Sequence, residues 1–141
     1  MIDTKRIVVR VGLALILTAA ACSQPAEPLK IVAVDLSHEI DQHNEPRSAR
    51  ETFAPSSTVY ACVAVESKGT GTLAARWTDP AGKVLAEQTQ AINATQSDPK
   101  SPQRFELHLK PEGGWPIAEG RYKVVITLDG KDPKTREFGI R

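Results

Sequence analysis

Leu73-Ala74-Ala75-Arg76-Trp77-Thr78-Asp79-Pro80-Ala81-Gly82-Lys83 is the stretch on which the fold turns. Leu73, Ala75 and Trp77 alternate with Ala74, Arg76 and Thr78, so an extended chain shows one apolar and one polar side. A strand of that kind lies half-buried in an antiparallel sheet whose other side meets water. Asp79-Pro80-Ala81-Gly82 then supplies turn chemistry, because proline fixes φ and glycine is free to take φ > 0. Upstream, Ser67-Lys68-Gly69-Thr70-Gly71 reads as a hairpin turn, and downstream residues 83–92 read as the returning strand.

Working outward, the period of two persists. Leu29-Lys30-Ile31-Val32-Ala33-Val34-Asp35-Leu36 forms the first strand, and Phe53 and Pro55 lead into a second that runs through Val59 and Cys62 to Glu66. Residues 37–51 and 93–102 are polar and unpatterned, as loops are. Phe105, Leu107 and Leu109 oppose Arg104, Glu106 and His108 on another strand. Pro111-Glu112-Gly113-Gly114-Trp115-Pro116 is too rich in breakers for regular structure. Tyr122, Val124, Ile126 and Leu128 then share one face, and a turn at Asp129-Gly130 leads to a last strand with Phe138 and Ile140. The expectation is an all-β domain over residues 29–141, a seven-stranded antiparallel β-sandwich without helix. A chain of this size buries roughly two-thirds of its unfolded surface, enough for a core without staples. Cys62, in the middle of an apolar strand, reads as a small hydrophobe or as a free thiol open to intermolecular pairing.

Glu119-Gly120-Arg121-Tyr122, opening a late strand, resembles the glycine-x-tyrosine corner of immunoglobulin-like and fibronectin type III-like domains. Trp77 resembles their core tryptophan, and Phe53-x-Pro55, Trp77-x-Asp79-Pro80-x-Gly82 and Trp115-Pro116 extend the likeness over most of residues 29–141. The resemblance implies an Ig-like sandwich and brings no catalytic residue with it. The inter-sheet cysteine pair of antibody domains is missing from the pattern, so packing alone must hold the two layers.

The N-terminus carries a different signal. Lys5, Arg6 and Arg10 precede the apolar run Val11-Gly12-Leu13-Ala14-Leu15-Ile16-Leu17, which ends at Thr18-Ala19-Ala20-Ala21-Cys22. A basic region, a short apolar region and small residues make a secretory signal peptide. A cysteine just past such a junction resembles the acceptor of a bacterial lipoprotein signal, which implies a diacylglyceryl thioether and acyl chains such as palmitate on Cys22. Ala19 stands where that family prefers leucine. An ordinary signal peptidase also accepts Ala19-x-Ala21 and would release a soluble protein, whereas an uncleaved anchor would need the ~20 apolar residues of a bilayer span. Residues 1–21 then form a cleaved signal peptide and 22–28 a lipidated tether, kept extended by Pro25 and Pro28 at about 3.1 Å per residue. Ser23, in place of an inner-membrane-retaining aspartate, implies the outer membrane of a diderm cell, with the domain on the periplasmic side.

Without residues 1–21 the chain keeps fifteen basic against sixteen acidic side chains. A surface so evenly mixed offers no footprint for nucleic acid and no polybasic patch for anionic lipid. Ser37-His38-Glu39-Ile40-Asp41-Gln42-His43-Asn44-Glu45 is the densest cluster of ligating groups. His38 and His43 lie five apart, which on a helix turns them roughly 140° from each other, away from a shared metal. In a loop they can converge on zinc or copper, or the segment is simply solvated. Trp115 reads either as a plug at the end of the core or as an exposed aromatic anchor, and Tyr60 fits either sheet face. His108 is a strand-face residue.

Neither a phosphate loop nor a nucleophile elbow is found, and no paired carboxylates sit on a defined scaffold. The sequence therefore points to a non-enzymatic, lipid-anchored binding or adaptor module of the cell envelope, with an envelope protein as partner and no cofactor beyond the lipid. The alternative is a small-molecule, metal or glycan binder using the His38–Glu45 loop or the Trp115 loop.

Overall fold

A computed structural model describes residues 28–96, 98 and 100–141. The expected signal peptide, the expected lipidation at Cys22 and most of the expected tether therefore lie outside the described residues. The described chain is all-β, with eight strands: β1 (Lys30–Ser37), β2 (Thr52–Phe53), β3 (Val59–Glu66), β4 (Gly69–Thr78), β5 (Val84–Ala94), β6 (Gln103–Leu109), β7 (Tyr122–Leu128) and β8 (Lys131–Ile140). They form two sheets, one of order β1-β3-β6 and one of order β2-β8-β7-β4-β5.

The alternation read from the sequence sets the inner faces. Leu73, Ala75 and Trp77 of β4 and Tyr122, Val124, Ile126 and Leu128 of β7 are buried, facing Val59, Ala61, Val63 and Val65 of β3. Trp77 is fully enclosed, and its ring meets Trp115 and Phe138 at 6.3 and 6.1 Å. Phe138 also packs on Phe53, Trp115 and Tyr122 at 5.2–5.7 Å, so one end of the core is an aromatic cluster. Edge-to-face and offset geometries of this kind add to the area buried.

The structure departs from the seven-stranded antiparallel expectation. Thr52 and Phe53 make an additional, two-residue strand that pairs in parallel with Gly139 and Ile140 of β8, so the larger sheet is mixed. Gly69 and Gly71 also lie inside β4 and not in the turn, which shrinks to Ser67 and Lys68. The reason is contact: a Cβ on Gly71 would stand 3.0 Å from Leu128 Cδ1 and 3.3 Å from Leu29 Cδ1. The glycine keeps a strand path so that two leucines can close over it.

The two sides of the sandwich are sealed differently. On the β1–β8 side, Arg50 N–H donates to Leu36 O (2.9 Å) and Gly139 N–H to Glu51 O (2.8 Å), so residues 49–53 bridge the sheets with main chain. Arg136 Nε adds a bond to Val34 O at 2.7 Å. On the β5–β6 side the bridge is a side chain: Gln88 Nε2 donates to His108 O (2.7 Å) while its Oε1 accepts from Trp77 Nε1 (3.0 Å). Further along, Gln103 Oε1 accepts from Thr95 N–H at 2.8 Å.

Candidate functional site

Trp115 is where the exposed-anchor reading fails. Gly114 holds φ at +86°, and a Cβ there would come within 2.7 Å of Pro55 O. That close passage lets Trp115 N–H donate to Pro55 O (2.9 Å) and turns the indole inward, with Nε1 donating to Ser57 O at 2.8 Å. The ring is 5 % exposed and stacks edge-on to Tyr122 at 5.1 Å. Trp115 is therefore a plug of the core, not a contact residue. Beside it the Tyr122 hydroxyl donates to Ile117 O (2.8 Å) and accepts from Ile117 N–H (2.7 Å), pinning the loop before β7.

Tyr60 lies on the opposite surface. Its β3 neighbours Val59 and Ala61 face the core, so Tyr60 takes the outer side of the three-stranded sheet, half-buried. Register places it between Ser37 of β1 and His108 of β6, and its ring lies 5.4 Å from the imidazole. His108 Nδ1 is 2.9 Å from Glu106 Oε2. The next row of this face is Asp35, Cys62 and Glu106, and the one after it Ala33, Ala64 and Arg104. Arg104 reaches Asp35 at 3.5 Å and Glu45 at 3.9 Å.

Residues 38–46 fold back over this sheet as a compact hairpin. Asp41 Oδ1 accepts the amide protons of His43 (2.7 Å) and Glu45 (3.0 Å), and those bonds hold its carboxyl below the usual value of 3.8. Asn44, at φ +59°, donates from Nδ2 to Arg104 O at 3.2 Å. The cover explains why Cys62 and Ala64 are fully buried on what is otherwise an outer face. Burial pushes the Cys62 thiol up to about 11, with Asp35 and Glu106 adding to the rise and Arg104 opposing it.

The two histidines proposed as metal ligands each face a neighbour of their own. His43 is exposed, with Nε2 3.3 Å from Gln42 Nε2. His38 is half-buried, its Nε2 4.0 Å from Glu39 Oε1 and its Nδ1 enclosed without a hydrogen-bond partner. Among the described residues no three His, Cys, Asp or Glu side chains are grouped to hold a metal ion. Asx-turn bonds to Asp41 and the left-handed backbone of Asn44 set the path of the loop, and both residue types mark turns in the sequence.

The arrangement offers a polar, ordered face with one aromatic on its central strand. Tyr60 and His108 supply ring surface, Arg104 and Glu106 supply paired charge, and the loop supplies a wall. The i, i+2 spacing of Arg104, Glu106 and His108 places them on one strand face in the sequence, whereas nothing local there ties Tyr60 to them.

No family model matches the chain, and no curated protein matches it. Among solved structures it resembles a β-glucosidase from Listeria innocua in complex with isofagomine, at 9 % identity and TM-score 0.49 over 80 % of this chain. A second structure of β-glucosidase from Listeria innocua aligns at 11 % identity and TM-score 0.44 over the same share. The chain spans 16 % of the length of each of these structures.

Proposed function

We propose that this chain is a lipid-anchored binding module of the cell envelope, tethered through Cys22 and contacting an envelope protein through the outer face of its three-stranded sheet. The observation that carries the reading is the Tyr60 ring, half-buried against His108 at 5.4 Å on the central strand of an ordered polar face. Tyrosine and arginine are the residues that most often dominate binding energy, and Tyr60 stands one cross-strand row from Glu106 and two from Arg104. The Tyr122 corner and the enclosed Trp77 support an Ig-like form of the sandwich. The signal pattern ending at Cys22 supports the anchor, and the tether is short enough to keep the domain close to its membrane.

In-cell crosslinking and pull-down test this with wild type, Tyr60→Ala and Cys22→Ser. One partner captured by wild type and lost from both variants is the expected result. Equal capture by Tyr60→Ala would move the contact to another surface, and unacylated Cys22 in the mass of the N-terminal peptide would remove the anchor.

A further inference from the structure

We infer that β5 is an interface through which two copies of this chain pair, edge to edge and antiparallel. Each sheet edge exposes main-chain donors and acceptors that another strand can use, and proteins guard such edges with charge, proline, bulges or short length. Three of the four edges here are guarded. β1 has a bulge between Ile31 and Ala33, and its Val34 and Leu36 carbonyls are occupied by Arg136 and Arg50. β6 carries Arg104, Glu106 and His108, and Gln88 occupies the His108 carbonyl. On the far side of the larger sheet β2 has only two residues, and β8 beyond it brings Lys131, Pro133, Lys134 and Arg136.

β5 is the least guarded: its one bulge, at Leu85, is confined to the start of the strand, and the rest carries no proline and no lysine. It is eleven residues long, pairs among the described strands only with β4, and holds a single charge, Glu87, which lies 3.5 Å from Arg76 of its own sheet. Its regular part is residues 86–94, limited at one end by the irregularity opposite Trp77 and Thr78 and at the other by the end of the strand. The midpoint of that stretch is Gln90, and antiparallel pairing about it brings every residue of 86–94 into a ladder with its counterpart. Glu87 then opposes Asn93 of the second copy, Thr89 opposes Ala91, and Gln90 opposes itself. The one charge meets a neutral amide instead of its own image, so like-charge repulsion across the strands is avoided. A strand with a charge at its centre would not pair with itself in this way. The match is a property of β5 alone and does not depend on the lipid anchor or on the Tyr60 face.

Cysteine mapping in the full chain, expressed in cells, tests both pairing and register. Thr89 and Ala91 are exposed and share the outer face with Glu87 and Asn93, so substitution leaves the core intact. Directly opposed positions lie about 4.5–5.5 Å apart at Cβ and diagonal ones about 7–8 Å, beyond disulfide reach. Co-expressed, differently tagged Thr89→Cys and Ala91→Cys chains should give a mixed disulfide at least tenfold above either chain alone. Glu87→Cys with Asn93→Cys should do the same, and Glu87→Cys with Ala91→Cys should not. Wild type run in parallel measures any background from Cys22. Equal crosslinking of all combinations, none in any, or linkage to a different protein overturns the inference. Unchanged protease resistance of each variant shows that the fold was present when the reading was taken.

Discussion

Along the β1–β8 side the gap between the two sheets is crossed by main chain, whereas along the β5–β6 side it is crossed by side-chain amides. The first closure rests mainly on residues 49–53, where Arg50 and Glu51 act through backbone groups, with Arg136 adding one side-chain bond. The second depends on the identity of Gln88, whose two ends reach Trp77 and His108 in opposite layers. One seam is set by chain path and the other by a residue. The contrast also explains why the β5 side retains an open edge: a glutamine can bridge layers without covering the strand it springs from.

The contrast breaks most visibly at Phe53, which anchors the main-chain bridge and is 2 % exposed against Phe138 at 5.7 Å. Phe53→Ala should lower stability by about 3–5 kcal/mol, measured by denaturant unfolding. Gln88→Ala leaves both the Trp77 indole N–H and the His108 carbonyl without their partner. The expected loss is about 1–3 kcal/mol, with a change in tryptophan emission that Phe53→Ala does not reproduce in kind. Equal losses at the two sites would mean that the seams do not differ.

Arg136→Ala removes one bond to Val34 O while the bridge at residues 49–53 remains, so its cost should be about 1 kcal/mol. Cys62, buried in the strand between the seams, sharpens the reading further. Its thiol is raised from 9.0 to about 11, so its contribution is intact below pH 9 and fades as pH climbs through the folded value. Alkylation at pH 8 should be far slower than in the unfolded chain, and faster in Gln88→Ala than in Arg136→Ala. The smallest effect belongs to Asp41, whose carboxyl is lowered by the His43 and Glu45 amides. The order of that loop is present above pH 3.8 and lost as pH falls through the lowered value, which the amide proton shifts of His43 and Glu45 would follow.

Strands whose two faces differ chemically were readable, because alternation in Leu73-x-Ala75-x-Trp77 and Tyr122-x-Val124-x-Ile126 is a direct record of burial. β2 was not, since two residues hold no period and the pairing of Thr52 and Phe53 is imposed by β8. Glycines misled at Gly69 and Gly71: both belong to β4, Gly71 because neighbours leave no room for a Cβ and Gly69 because its backbone holds φ at +142°. At the candidate site, Tyr60 was singled out but its face was left open: Val59 and Ala61 fix it only once β1 and β6 flank the strand. Trp115 needed the Pro55 contact to choose between core and surface, and that contact spans sixty residues of chain.

The register of β1 against β3 also decides how the domain answers a pull. Lys30 pairs with Glu66 and Ser37 with Tyr60 along the strand axis, and Pro28 stands two residues before the first pair. Ladder bonds lie across that axis, so a force drawn through Pro28 and resisted at the far end strains them together, in shear, rather than unzipping them one by one. Tension applied at Pro28 is thus met along the paired length of β1, and this strand acts as a mechanical clamp.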